Sequence, residues 1–372
     1  MDKFIFYLSI ILLYIHYVNA QIVIPLESFQ SQMKEQSITQ SFIKELLNLN
    51  IASIIKIGSQ SYPLKTFFNI NDPFFFISKQ CNIKEEFSSE YKTNFNYNRY
   101  KSITFYNTSS FDLFFGQSLH ACTAIENFEV NNYEKKEIKL EKISFILNED
   151  TNEEEYNCLQ IGLIQNMNKE TSFKDINLIT QLKQKNFIKE YIWTIKFNNA
   201  TKYNNNNLLY DSDELINLKG NLIIGDFPHN FDSKNYYKSQ LIKTYSSLKV
   251  MKWELEFNKI YYINSNKEQE VEDIYALLDP SIYLIYGPID YYEKIIEDFF
   301  RQYLNTKICR FTYVNEYYSI NCDKSDKFSI NELKKFPSLL FKHINLNYTF
   351  ELTYKELFVE KDNIYLLFFN YF

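Results

Sequence analysis

The chain has 372 residues and a formal net charge of −6, from 40 Lys and Arg against 46 Asp and Glu. One hydrophobic core stops growing at roughly 250 to 300 residues, so two lobes are expected. The acidic balance supplies no basic face, which argues against nucleic acid as a partner, and 34 Phe and 31 Tyr beside six Gly read as coding-composition bias, so single aromatic residues carry no functional weight.

Met1 to Ala20 has Lys3, an apolar stretch from Phe4 to Val18 and a small residue at its end. This predicts a secretory signal peptide over 1–20, short of the ~20 residues a spanning helix needs, with no membrane contact after cleavage. In 21–48, Ile22, Ile24 and Leu26 alternate before a polar, helix-compatible stretch, read as an N-terminal strand followed by a surface helix. From Ile54 the pattern is mostly β, with runs such as IKLEKISFIL, YIWTIKF, NLIIGDF and KWELEFNKIYYI. The charge run Glu134 to Lys142 reads as a solvated hairpin. Two helices are predicted, one carrying Ile176, Ile179 and Leu182, the other Ile289, Tyr292, Ile296, Phe299 and Tyr303 behind Pro288. The Asn-rich stretch 200–218 is expected to be a polar surface loop between an N-terminal lobe over 49–199 and a C-terminal lobe over 219–372. His120, His229 and His343 are isolated, and no HExxH, CxxC or phosphate-cradling Gly-rich loop occurs, so no metal and no cofactor is expected.

The glycines fall in IKIG (Gly58), FFGQS (Gly116), IGL (Gly162), KGNLIIGDF (Gly220, Gly225) and YLIYGP (Gly287). Their order and spacing resemble the pepsin-like aspartic peptidases, peptidase family A1. IKIGSQSYPLKTFFNINDPFFFI, residues 55–77, follows that family's first catalytic segment without a gap and puts Asn69 at the first catalytic Asp. Phe115 and Gly116 match its substrate-binding flap, and Ile161-Gly162-Leu163 matches the segment closing its ψ-shaped loop. ALLDPSIYLIYGP, residues 276–288, puts Asp279 at the second catalytic Asp, with Trp253 on the preceding strand. The resemblance runs from about residue 22 to the end, and it implies a pro-segment over 21–48, opened by Ile24-Pro25-Leu26, as the alternative to a strand and surface helix there. It implies a mainly β, bilobal pepsin-like acid-protease fold with few helices, and a second lobe left incomplete because the chain stops at IYLLFFNYF where the family continues.

Of five cysteines, Cys309 and Cys322 flank two strand-like runs that a hairpin would bring together, and the resemblance places a disulfide there. Cys81 and Cys122 form a possible second bridge, leaving Cys158 as a buried thiol.

The implied chemistry needs two carboxylates about 3 Å apart that share one proton and hold a water between them. Asn69 can orient water but cannot shuttle that proton. The supporting positions are altered too: Ile70 and Asn71 stand where Thr and Gly are usual, as do Pro280 and Ser281. Asp72 and Ile282 replace the hydroxyl residues that follow. The resemblance therefore implies an aspartic-type endopeptidase homologue, impaired or inactive, secreted or in a lysosomal or vacuolar lumen, monomeric, with a peptide in its inter-lobe cleft. A non-catalytic peptide-binding pseudopeptidase and a decayed or truncated gene product stand as alternatives.

Overall fold

The computed structural model describes residues 21–29, 50–70, 72, 74–78, 97–114, 118–132, 135–148, 155–156, 158–164, 176–197, 209–211, 218–225, 254–262, 269–277, 285–287, 289–314, 317–343, 349–367 and 369–371. Met1 to Ala20, read as a signal peptide, lies outside them.

The first part of the chain forms strands β1 (Ile22–Phe29), β2 (Asn50–Ile57), β3 (Tyr62–Asn69), β4 (Phe75–Ser78), β5 (Tyr97–Asn98), β6 (Tyr106–Phe114), β7 (Ser118–Asn132), β8 (Glu137–Asn148), β9 (Glu155–Tyr156) and β10 (Cys158–Gly162). Helix α1 (Leu178–Gln184), β11 (Trp193–Phe197), β12 (Tyr210–Asp211) and β13 (Lys219–Ile224) follow. Ten of these strands make one sheet in the order β11-β13-β1-β2-β3-β10-β4-β8-β7-β6. The alternation read from the sequence sets which face is buried: Ile22, Ile24 and Leu26 of β1 and Ile55 and Ile57 of β2 lie in one core with Phe75, Phe128 and Phe145. Gly58, at φ +83°, makes the β2–β3 turn. The charged run is a hairpin as expected, with Glu137 on β8 bonding Lys56 at 2.7 Å. Asn177 caps α1 by accepting from the Thr180 N–H at 3.0 Å, and Leu178, Ile179 and Leu182 turn inward.

Strand β1 changes neighbours along its length. The Ser28 N–H bonds the Leu218 carbonyl at 2.9 Å, so by antiparallel parity Ile22, Ile24 and Leu26 direct their main-chain groups to β13. Val23 meets Asn131 of β7, and Glu27 and Phe29 meet Ala52 and Asn50 of β2. Pro25 falls between those two pairings, where a strand residue would leave an N–H without a partner and proline has none to leave. The strands part there around a pocket of about 420 Å³ whose lining is half apolar, with Ile24, Pro25 and Val130, and half polar or charged, with Lys56, Glu129 and Glu137.

The later part forms β14 (Glu254–Tyr262), β15 (Gln269–Leu277), β16 (Ile285–Gly287), α2 (Ile289–Ile295), a π-helical turn over Ile296–Phe300, α3 (Arg301–Asn305), β17 (Cys309–Val314) and β18 (Tyr317–Asp323). Then come α4 (Ile330–Leu333), β19 (Leu339–His343), β20 (Thr349–Leu352), α5 (Tyr354–Leu357), β21 (Phe358–Lys361), β22 (Ile364–Leu367) and β23 (Phe369–Tyr371). They build sheets β12-β21-β22-β18-β17, β15-β14-β19-β20 and β16-β23 over a second core. The second predicted helix forms, with a π-helical turn within it: Tyr292, Phe299 and Tyr303 are buried as expected, together with Ile295 and Phe300, while Ile289 at its start is 46% exposed. Phe299, Phe328 and Phe336 then pack edge to face, so aromatic residues that mark no site build this core. The stretch expected to be a surface loop contributes β12, joined in parallel to β21, and Leu209 packs on the second core.

Cys309 and Cys322 are register partners on the β17–β18 hairpin and are disulfide-bonded, with Cα atoms 4.0 Å apart. The Cys81–Cys122 pairing is corrected. Cys122, fully buried on β7, carries a thiol, and Cys158 is disulfide-bonded. The reason is strand order: β10 runs antiparallel to β4, which puts Cys158 opposite Ser78, three residues before Cys81 in the chain. Cys81 itself lies outside the described residues.

Candidate functional site

The most constrained local geometry is the crossing of β3, β10 and β4. Strand β3 runs up to Asn69, the chain turns through Ile70 to Phe74, and β4 begins at Phe75. Strand β10 lies between the two, parallel to β3 and antiparallel to β4, with Gly162 opposite Asn69 and Ile161 opposite Phe75. This is the ψ-shaped connection that Ile161-Gly162-Leu163 led one to expect. Three main-chain bonds tie it: Leu163 N–H to Asn69 O at 2.9 Å, Gly162 N–H to Phe74 O at 2.7 Å, and Ile164 N–H to Asp72 O at 3.3 Å. Glycine is required at 162, because a Cβ there would stand 2.2 Å from the Asp72 carbonyl oxygen and 2.6 Å from the Phe74 nitrogen. From the other side the Asn177 amide donates to the Ile164 carbonyl at 2.9 Å, so the cap of α1 also steadies the crossing.

Within the turn, Ile70 is 4% exposed and packs into the first core. Asp72 folds back: its Oδ1 accepts from the Phe74 N–H at 2.7 Å, an Asx-type turn. Burial raises its pKa above the ordinary carboxylate range, and that hydrogen bond opposes the shift.

Of the residues singled out from the sequence, the turn brings together Asn69, Ile70 and Asp72. Asn71, Asp279, Pro280, Ser281 and Ile282 lie outside the described residues, as do Phe115 and Gly116. The hairpin that carries the last two is described up to the Phe114–Ser118 pair of β6 and β7. In the second half, Ile285 follows Asp279 at the interval by which Phe75 follows Asn69, and β16 pairs in parallel with β23 as β4 does with β8. Among the described residues no strand lies between β15 and β16 as β10 lies between β3 and β4, and Leu277 at the end of β15 is 44% exposed. The final apolar run divides into β22, paired with β18 and β21, and β23. No group of three or more His, Cys, Asp or Glu side chains among the described residues is placed to hold a metal ion.

One buried polar centre escaped the reading of the sequence. Glu126 occupies an inward position on β7 in the alternation Cys122, Ala124, Glu126, Phe128, Val130, and is 0% exposed. A lone acid in an apolar alternation was the available signal.

No protein-family model matches the sequence, and neither does any curated protein. Among solved structures, that of basic 7S globulin from soybean superposes with a TM-score of 0.55 at 10% identity, over 94% of this chain and 85% of the globulin. At that identity the likeness speaks for fold alone, and the fold is the bilobal, mainly β, pepsin-like one.

Proposed function

We propose that this chain is a pepsin-like aspartic endopeptidase homologue that has lost peptide hydrolysis and keeps the ability to hold an extended peptide between its lobes. The observation that carries this reading is the β3–β10–β4 crossing, a rigidly bonded turn that presents Asn69, an amide, with Ile70 buried behind it. A proton-sharing carboxylate pair cannot be built with an amide as one member, and each lost general acid or base role costs ~10² to 10⁴ in rate. Asp72 does not restore it, since its carboxylate is turned back onto the Phe74 N–H and its carbonyl is bound by Ile164. Binding makes a smaller demand: an extended peptide needs main-chain partners and side-chain pockets, with no proton transfer. In this reading Asp279 faces Asn69 across the cleft and Phe115 and Gly116 tip the β6–β7 hairpin over the peptide. The Cys309–Cys322 disulfide fits an oxidising compartment, and among the described residues no helix is long and apolar enough to cross a membrane. Both accord with a secretory route directed by residues 1–20, ending outside the cell or in a lysosomal or vacuolar lumen, as a monomer.

The test is a pair of assays on the full chain. Acid-denatured globin and peptide substrates should not be cleaved above background between about pH 3 and 6, the range in which such a pair shares its proton. A statine-type peptide inhibitor should bind saturably without turnover. Asn69→Asp alone should restore little, because Ile70, Asn71, Pro280 and Ser281 still misplace the carboxylates and ~1 Å of misplacement costs about 10²-fold. Inhibitor-sensitive turnover by the unmodified chain, abolished by Asp279→Asn, would refute the loss of hydrolysis; absence of inhibitor binding would refute the retained cleft.

A further inference from the structure

Glu126 is a fully buried carboxylate that accepts four hydrogen bonds from two directions. Its Oε2 accepts from the Ser102 hydroxyl at 2.6 Å and the Tyr97 hydroxyl at 3.0 Å. Its Oε1 accepts from the Asn127 N–H at 2.8 Å and from the Thr104 hydroxyl. The Ser102 hydroxyl also accepts from the Ser59 N–H at 3.1 Å, the Ser59 hydroxyl accepts from the Ile103 N–H at 3.1 Å, and the Gly58 N–H donates to the Asn127 carbonyl at 2.9 Å. The carboxylate thus joins the β2–β3 turn, the segment 97–104 and β7.

Its place along β7 gives the cluster its meaning. The β7–β8 ladder shifts register between Glu126 and Phe128. Before the shift β7 pairs with β6 as an extended hairpin; beyond it, β7 pairs with β1 and β2 inside the main sheet. The extra residue is on β8, where Glu141 and Lys142 oppose Asn127 alone on β7, and the Lys142 N–H donates to the Asn127 Oδ1 at 2.9 Å. Such a bulge bends the strand that carries it and raises the local twist of the pair, so this point sets the direction in which the β7–β8 ladder, with β6 beside it, leaves the sheet. An apolar side chain would fill the volume at a lower desolvation cost, whereas a carboxylate with four donors specifies one arrangement of the pieces around it.

We infer that Glu126 is a positioning residue that fixes the angle of the β6–β7 hairpin relative to the β3–β10–β4 crossing; its consequence for ligand affinity rests on the peptide-binding reading above. The test is hydrogen exchange on the full chain for Glu126→Ala, Glu126→Gln and Ser102→Ala. Loss of hydrogen bonds to a charged group should speed exchange by about tenfold or more in 97–104 and in β6 and the first half of β7 in Glu126→Ala, with β4 and β10 unchanged. Ser102→Ala, which keeps the carboxylate and its other donors, should give a smaller rise over the same segments and serves if Glu126→Ala does not fold. Glu126→Gln keeps an acceptor for the Asn127 N–H and offers an amide that the Ser102 and Tyr97 oxygens can accept, so it should stay within about threefold of the parent. A uniform rise over the whole sheet, or unchanged hairpin exchange in both alanine variants, would overturn the inference. If the parent binds no statine peptide while the variants still loosen the hairpin selectively, the positioning role stands and the peptide-binding reading falls.

Discussion

At the scale of single residues, Gly162 is where the fold tolerates least. The Cβ introduced by Gly162→Ala would meet main-chain atoms of Asp72 and Phe74, which cannot rotate away as a side chain would. The variant should lose roughly 1–3 kcal/mol or more in urea unfolding, and an unchanged midpoint would mean that the crossing is looser than its bonds suggest. Tyr303 offers a test in pH. It is 7% exposed and donates to Glu332 Oε2 at 2.7 Å; burial, reinforced by that carboxylate, pushes its pKa from 10 up to about 12. Because the folded state holds the phenol proton more tightly than the unfolded chain does, its contribution to stability is complete below about pH 10 and is lost as pH rises through 12. Stability should therefore fall across that window at up to ~1.4 kcal/mol per pH unit, and Tyr303→Phe should flatten the fall. An equally steep fall in the variant would assign the alkaline transition to other groups.

At the scale of elements, the β17–β18 hairpin has two independent determinants. Its register runs from Cys309↔Cys322 to Val314↔Tyr317, with the Tyr313 and Tyr318 rings tilted against each other at 4.8 Å beside the turn, and the disulfide closes the open end across a sequence separation of 13. Replacing both cysteines by serine should cost about 2–4 kcal/mol, chiefly by freeing the unfolded chain, while the strand pairing persists. Loss of cross-strand contacts between Phe311 and Ile320 in an NMR spectrum of the double variant would show that the disulfide, rather than side-chain pairing, sets the register. The helices divide differently. For α1 the local spacing of Ile179 and Leu182 holds, but the helix begins at Leu178 behind the Asn177 cap, which leaves Ile176 buried just outside it. For α2 through α3 the expected spacing of Tyr292, Phe299 and Tyr303 holds, and Ile295 and Phe300 join them on the buried face, which the sequence reading had not included.

At the scale of the whole molecule, β1 is the link on which the large sheet depends. Among the described residues, β13 pairs only with β1 and β11, so the β11–β13 pair reaches the rest of the sheet through Ile22 to Phe29. The strand also buries Ile22, Ile24 and Leu26. A chain beginning after Phe29 should expose the β13 edge and aggregate, whereas a chain nicked after Phe29 should retain the strand through its pairings. Monomeric, cooperatively unfolding protein from the shortened chain would show that β1 is dispensable. The outcome also bears on 21–48 as a pro-segment: if it is removed, β1 has to stay bound or be replaced.

Features that depend on local pattern and fixed spacing were legible in the sequence. The alternating runs became strands, and Gly162, which the resemblance put in the segment closing a ψ-shaped loop, ends the central strand of the crossing because close main-chain approach there requires a glycine. Asn69 was placed at the turn by the resemblance, whose first catalytic segment matches residues 55–77 without a gap, and β3 ends at that residue. Which elements became partners was not legible in any local pattern. Cys158 and Cys122 exchange their expected roles, and the antiparallel register of β4 and β10 puts Cys158, not Cys122, opposite Ser78. Pro25 sits in an interior strand because the sheet divides at that residue. Glu126 gathers Tyr97, Ser102 and Thr104 across 22 to 29 residues of chain, a convergence that no window along the sequence contains. Spacing along one strand is fixed by covalent geometry, whereas which strands become neighbours is settled by the burial and hydrogen bonding of the whole sheet.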